Sequence, residues 1–238
     1  ELINSKTYYM SNPYFQFKQF TVWHDRCAMK VGTDGVLLGA WCDVDGAKKA
    51  LDVGTGSGLM ALMIAQRNPE LQVLGIDIDV DSVTQAQENS LRSPFAQQLN
   101  IQLLNLKVLE VLHNYDLVVS NPPFYTEDTV SPQEERGAAR NVKSLPFKLL
   151  IERAVELMKE DGRFSVIIPY SEASQFILDA SAVGLKLYRR CDVKATPEKA
   201  YKRTLLEFGL QDRESQFEEL ILNSEKFKTL VQDFYLDT

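Results

Sequence analysis

The feature that most narrows the fold is the run from Lys48 to Arg67. A short apolar stretch ends at Val53, alternating glycines follow as Gly54-Thr55-Gly56-Ser57-Gly58, and Leu59 to Arg67 carries a helical stripe that Asn68-Pro69 stops. Strand, glycine turn and helix in that order open a parallel α/β nucleotide-binding unit, because the turn brings backbone N–H groups at a helix N-terminus close to a ligand. A dinucleotide is disfavoured. Its fingerprint needs a third glycine three residues after the second, and that position holds Leu59. Asp52 precedes the turn, where a carboxylate suits a ligand with an ammonium group and repels a pyrophosphate.

The following strands extend the unit. Leu71 to Ile78 delivers Asp77 about twenty residues past the turn, where such sites place the acid that accepts hydrogen bonds from ribose hydroxyls. A helix is predicted from Asp81 to Leu91, capped by Asp79 or Asp81 and closed by Ser93-Pro94. Asn100 to Leu106 is a third strand with Asn105 near its end, placed to read an adenine ring by its amide. Tyr115 to Ser120 is a fourth, running into Asn121-Pro122-Pro123-Phe124-Tyr125. The prolines fix φ, remove two donors and hold Asn121 and Pro122 extended, so their oxygens form a rigid acceptor cluster beside aromatic rings. Such a cluster suits a planar substrate carrying an amine. In isolation Asn-Pro-Pro is more simply a stiff turn. Parallel strands, however, bring their C-terminal ends to one edge, so Asp52, Gly54, Asp77, Asn105 and Asn121 converge in one crevice.

The rest of the chain frames that crevice. Phe15, Phe17, Phe20 and Val22 alternate as a short strand or hairpin would, and His24 to Gly35 reads as an ordered loop. Thr33 or Asp34 is expected to cap a buried helix over Val36 to Trp41. His24 and His113 have no partner carboxylate in view and read as structural. Thr126 to Ser144 lacks an apolar stripe and reads as a basic loop beside the site. A helix over Phe147 to Met158, a turn at Glu160-Asp161-Gly162, a buried strand from Arg163 to Pro169 and a helix from Ser171 to Ala182 follow. Leu185 to Val193 and Arg203 to Leu210 form a terminal strand pair, with Lys194, Lys199, Lys202 and Arg203 clustered between them, and Phe217 to Tyr235 reads as one or two amphipathic helices.

With 238 residues, 45% of them hydrophobic, the chain fits one domain over residues 10–238, of which 10–45 form an N-terminal extension and 1–9 a tail without a role in the fold. No membrane-length apolar run or leader is visible, so a soluble, cytoplasmic protein is expected. Cys27, Cys42 and Cys191 lack metal-ligand spacing, so no metal is expected and the thiols read as reduced. A net charge of −7 argues against sequence-blind nucleic-acid binding but leaves room for local basic patches.

Asp52 to Gly58, taken with Ser120-Asn121-Pro122-Pro123-Phe124, resembles the class I S-adenosylmethionine-dependent methyltransferases of the Asn/Asp-Pro-Pro-aromatic group, which modify planar amino groups. The segment His24-Asp25-Arg26-Cys27-Ala28-Met29-Lys30-Val31-Gly32-Thr33-Asp34-Gly35 resembles the bacterial tRNA1(Val) (adenine-37-N6)-methyltransferase family in particular, and the similarity runs from about Phe15 to Leu210. The resemblance implies an α/β, Rossmann-like fold: a seven-stranded, mostly parallel sheet with an antiparallel final strand and a short N-terminal β extension. It implies S-adenosyl-L-methionine as cofactor, with Asp52, Gly54, Thr55 and Gly56 at the methionine part, Asp77 at the ribose with Ile78 beside it, and Lys30 and Thr33 along the methionine end. Asn105 stands where the family usually has an aspartate on the adenine amine, and its amide oxygen can still accept that bond.

For the reaction the resemblance implies that Asn121, also next to the cofactor, and the Pro122 carbonyl hold the substrate amine while Phe124 stacks on the base. The implied partner is valine tRNA through its anticodon loop, and Arg136, Arg140, Lys186, Arg189, Arg190 and Lys202 are candidates for phosphate contact. Three alternatives stay open. A guanine-N2 rRNA methyltransferase accepts the same Asn-Pro-Pro-Phe, a protein glutamine-N5 methyltransferase usually has tyrosine at the aromatic position, and a cofactor-binding module without catalysis is disfavoured by Asn121 and Phe124.

Overall fold

The computed structural model describes residues 12–111, 113–123 and 145–236. A hairpin of β1 (Tyr14–Gln16) and β2 (Thr21–Trp23) leads into α1 (Thr33–Trp41). Alternation of strand and helix follows: β3 (Lys49–Val53), α2 (Leu59–Arg67), β4 (Gln72–Asp77), α3 (Val80–Arg92), β5 (Leu99–Leu103) and β6 (Tyr115–Ser120). Beyond the undescribed stretch come α4 (Phe147–Leu157), β7 (Met158–Pro169), α5 (Ala173–Ala182), β8 (Lys186–Lys194), β9 (Arg203–Gly209), β10 (Gln216–Ile221) and α6 (Glu225–Val231).

Among the described residues the main sheet has eight strands in the order β10-β8-β9-β7-β6-β3-β4-β5. β9 runs antiparallel to both neighbours, and every other pair is parallel. The central strands are buried on both faces. Ala50, Leu117, Val119, Ile167 and Leu205 point to a core shared with α1, α2 and α3, while Leu51, Val118, Val166, Ile168 and Leu206 point to one shared with α4 and α5. This alternation fixes the register, because a slip of one residue would exchange the two cores along a whole strand. No helix among the described residues is long and apolar enough to cross a membrane.

Two expectations need correction. The sheet has an eighth strand, since Gln216–Ile221 adds to β8 as β10 and only the following segment forms a helix, α6. Furthermore, Glu160-Asp161-Gly162 is not a turn between elements but lies within β7, which bulges where Tyr115 and Leu117 of β6 oppose Met158 and Arg163. A Cβ on Gly162 would stand 2.8 Å from the Tyr115 carbonyl, so only glycine fits that crossing. The C-terminal segment closes on the N-terminal hairpin: Lys18 N–H donates to the Phe234 carbonyl at 2.8 Å, and the Phe17 and Tyr235 rings stack.

Candidate active site

The glycine turn joins β3 to α2 at the C-terminal edge of the sheet. Gly54, Gly56 and Gly58 take φ of 72°, 55° and 81°, the left-handed region that other residues enter only with strain. The turn is tied to β4: the N–H groups of Gly54 and Thr55 donate to the Ile76 carbonyl at 2.9 and 3.0 Å. Gly56 N–H donates to Asp77 Oδ2 and Asp79 N–H to Asp77 Oδ1, both at 3.0 Å. Asp77 therefore stands fixed at the end of β4, half exposed, with lone pairs left over. A Cβ added to Gly54 would meet nothing within 4 Å, so the space over the turn is open. Ile78, 46% exposed, offers an apolar surface beside it.

Asp52 occupies a different place from the one its sequence position suggests. It is fully buried beneath the turn, where Thr55 Oγ1 donates to Oδ2 at 2.7 Å and Oδ1 has no partner. Burial pushes its pKa up to about 7 against the Thr55 hydrogen bond. Gly75 of β4 makes room for this arrangement, since a Cβ there would stand 2.9 Å from Thr55 Oγ1. Asp52 therefore braces the turn from below.

Asn121 leaves β6, the strand next to β3. Ser120 Oγ donates to the Val53 carbonyl at 2.8 Å, fastening the two strand ends together. The Asn121 Oδ1 is buried and unpartnered. Its Nδ2 faces α1, where a Cβ on Gly35 would stand 4.0 Å from it and 3.0 Å from Leu59 Cδ2. Close approach, rather than a positive φ, explains this glycine. Helix α1 is N-capped by Gly32 without a side-chain bond, so neither Thr33 nor Asp34 caps it. Asp34 instead accepts from Arg203 Nε at 2.7 Å, joining α1 to the start of β9. Lys30 and Thr33 lie exposed at this end of α1. Asn105 is exposed past β5, its Oδ1 accepting from Lys107 N–H at 3.0 Å and retaining one lone pair. His24 is structural: it is buried, with Nε2 2.9 Å from the Asn12 carbonyl and Nδ1 accepting from Val31 N–H at 3.3 Å.

The methyltransferase small domain family matches residues 30–188. A Bacteroides thetaiotaomicron relative named tRNA1(Val) (adenine(37)-N6)-methyltransferase is 40% identical over 95% of this chain and 99% of its own. Another of that name from Phocaeicola vulgatus is 41% identical over 96% of this chain and 100% of its own. The chain belongs to the tRNA1(Val) (adenine(37)-N6)-methyltransferase family. The fold agrees with solved structures of low identity. A predicted O-methyltransferase from Agrobacterium tumefaciens superposes with a TM-score of 0.63 at 19% identity, covering 84% of this chain and 94% of its own. P. horikoshii TYW2 in complex with MeSAdo gives 0.58 at 12% identity, covering 84% and 72%.

The crevice of this family member fits S-adenosylmethionine on three observations. Space is open above Gly54, a fixed carboxylate stands at Asp77 for a diol, and Ile78 exposes an apolar side chain where a base can lie. The structure divides the basic candidates. Arg189 is committed inward, donating to buried Glu207 at 2.9 and 3.1 Å and to the Trp41 carbonyl, with its guanidinium 4.0 Å from the Trp41 ring centroid. Lys186 begins β8 at the opposite edge of the sheet, 3.4 Å from Asp212. Neither reaches the crevice. Arg190 pairs with Asp192 at 2.8 Å, and Lys202 is exposed at the crevice edge. Phe124, Arg136 and Arg140, with the rest of the expected basic loop, lie outside the described residues. Sequence reasoning missed Gly35 and the Asp34–Arg203 pair, whose signals lay only in a Thr-Asp-Gly at a helix start and an arginine at a strand start.

Proposed function

We propose that this chain methylates the exocyclic N6 amine of adenine 37 in tRNA1(Val), with the methyl group drawn from S-adenosylmethionine. The observation that carries the reading is the buried, unpartnered Oδ1 of Asn121 at the mouth of the crevice. Leaving such an acceptor unsatisfied costs about 1–3 kcal/mol, which a donor on the substrate offsets on binding. The N6 lone pair of adenine is delocalised into the ring, so the amine is a weak nucleophile. Asn121 Oδ1 and the Pro122 carbonyl accept its two hydrogens and favour a pyramidal nitrogen with the lone pair turned away from them. When bound, S-adenosylmethionine supplies an electrophilic sulfonium methyl, so the task of the chain is orientation. Asp77 and the glycine turn hold the cofactor, with Ile78, Asn105, Lys30 and Thr33 around it. Phe124 stacks on a base that has left its own stack. The relatives named for this reaction align over nearly the whole chain, which supports the same acceptor. A cytoplasmic location follows from that substrate.

The test offers labelled S-adenosylmethionine with three acceptors: unmodified valine tRNA, ribosomal RNA and a release factor. N6-methyladenine at position 37 of the tRNA is the expected product. Label in N2-methylguanine or in the release factor, with the tRNA untouched, would overturn the proposal.

A further inference from the structure

A second feature of the crevice edge is absorbed by none of these roles. Tyr170 directly follows β7, one strand over from Asn121, and Tyr201 lies in the loop before β9, the next strand along. Their rings pack with centroids 5.0 Å apart and planes 33° from parallel. The Tyr170 N–H donates to the Lys202 carbonyl at 3.2 Å, tying the two segments together. Charged groups from the neighbouring strands hold the rings: the Arg190 guanidinium lies 5.4 Å from the Tyr170 centroid, Lys194 Nζ lies 5.2 Å from that of Tyr201, and the Tyr201 hydroxyl donates to Glu219. Tyr170 still leaves 36% of its surface exposed.

Charges of both signs line this edge, and the cations next to the rings are the ones that face an incoming anion. Asp192 and Glu219 are paired with Arg190 and Lys194, whereas Glu198, which accepts from the Thr196 hydroxyl, and exposed Glu172 make no ion pair among the described residues. Lys199 and Lys202 are exposed and make no ion pair among the described residues. An aromatic pair held in place by cations, with two unpaired lysines beside it, has the makeup of a platform for single-stranded nucleic acid. Asn121 is level with Ile167, so Tyr170 lies three residues further along and one strand over, and Tyr201 a residue and a strand beyond it. At about 3.3 Å per residue and about 4.8 Å per strand, the pair stands roughly 10–16 Å from Asn121. That separation is too great for the base being methylated and suits a nucleotide flanking it.

Resting on the RNA reading above, we infer that Tyr170 and Tyr201 form a stacking platform for an unpaired base flanking the target adenine, with Lys199 and Lys202 facing its phosphates. The experiment compares wild type with Tyr170→Ala, Tyr201→Ala, Tyr201→Phe and the double Lys199→Gln/Lys202→Gln variant. Each is assayed for methyl transfer to unmodified valine tRNA, for S-adenosylmethionine affinity by calorimetry, and for binding of an anticodon stem-loop carrying 2-aminopurine beside adenine 37. Each alanine variant is expected to raise the KM for RNA about 5- to 150-fold, the loss of one base–aromatic stack, and to abolish the quenching of 2-aminopurine. Cofactor affinity stays within about twofold, and Tyr201→Phe keeps the wild-type KM. The lysine variant is expected to weaken binding and lessen its salt dependence. Unchanged KM and quenching in both alanine variants overturn the platform while leaving the RNA reading intact. Failure of the wild-type chain to bind or methylate any RNA overturns both.

Discussion

The turns after β3 and β6 leave adjacent strands of one sheet, and they are made rigid by opposite means. After β3 the chain uses glycines with φ of 72°, 55° and 81°, conformations that are loose until hydrogen bonds to Ile76 and Asp77 fix them. After β6 it uses prolines, whose rings fix φ before any bond forms and which have no N–H to satisfy. The difference suits what each turn has to leave free. A glycine turn leaves N–H groups and open space at a helix N-terminus, whereas a proline turn leaves only acceptors. On the proposed function the first faces the cofactor, and the second faces an amine that must donate. Buried oxygens without partners occur just where these turns begin, at Asp52 and Asn121.

The comparison can be broken most directly at Asn121. Replacing it by alanine removes the side-chain acceptor of the proline turn and leaves the glycine turn intact. Single-turnover methyl transfer should fall by about 10²- to 10³-fold, with S-adenosylmethionine affinity within about twofold by calorimetry. A loss of cofactor affinity as large as the loss in rate would show that the two turns do not divide the work. Asp77→Ala probes the other side. On the proposed reading it removes two charged hydrogen bonds to the ribose, together with the anchors of Gly56 and Asp79, so the cofactor Kd should rise by about 10²- to 10⁴-fold, while the rate at saturating cofactor changes far less.

Asp52 sharpens the contrast through pH. Its folded pKa is raised from an ordinary 3.8 to about 7, so the folded chain keeps a proton that the unfolded chain releases. Its contribution to stability is therefore present at low pH, declines as the pH rises from about 4 to about 7, and is level above that. Asp52→Asn should flatten this part of the Tm–pH profile, as differential scanning calorimetry at a series of pH values can record. A variant profile parallel to that of the wild type would contradict the buried placement. The smallest effect is expected of Gly54→Ala. With nothing within 4 Å of the new Cβ, its cost comes from φ alone, about 1–2 kcal/mol, which lowers Tm by roughly 2–8 °C in a chain of this size.

Much of this was legible in the sequence, because the turn chemistry and the strand periods agree with each other. The bounds of α2 were read as they stand, from Leu59 to Arg67, and Asp77 was placed at its strand end. The misreadings share a cause, namely tertiary contacts overriding local signals. Phe217 to Ile221 carries two glutamates and only one fully buried side chain, Leu220, so it lacks strand alternation; backbone pairing with β8 makes it a strand all the same. Glu160-Asp161-Gly162 has turn composition and has no partner on β6; it lies in the register shift between Met158 and Arg163, and pairing on either side of it makes it part of β7. In the site, the crevice was visible as a convergence of strand ends, but depth was not. Sequence shows that Asp52 precedes the turn and not that it lies under it. Nor does a count of basic residues reveal that Arg189 turns inward to Glu207 while Lys186 sits at the far edge.

The contact between Asp34 and Arg203 has a thermodynamic side. It joins the helix start that lies beside Asn121 to the strand whose preceding loop carries Tyr201, so it is one tie through which occupancy at one can bias the other. Both side chains are about a quarter exposed, and an ion pair of that sort is worth at most about 1 kcal/mol. Because coupling between sites is reciprocal, cofactor and RNA can change each other's affinity through this tie by no more than about fivefold in either direction. Added salt, which screens the pair, should bring the two binding events closer to independence.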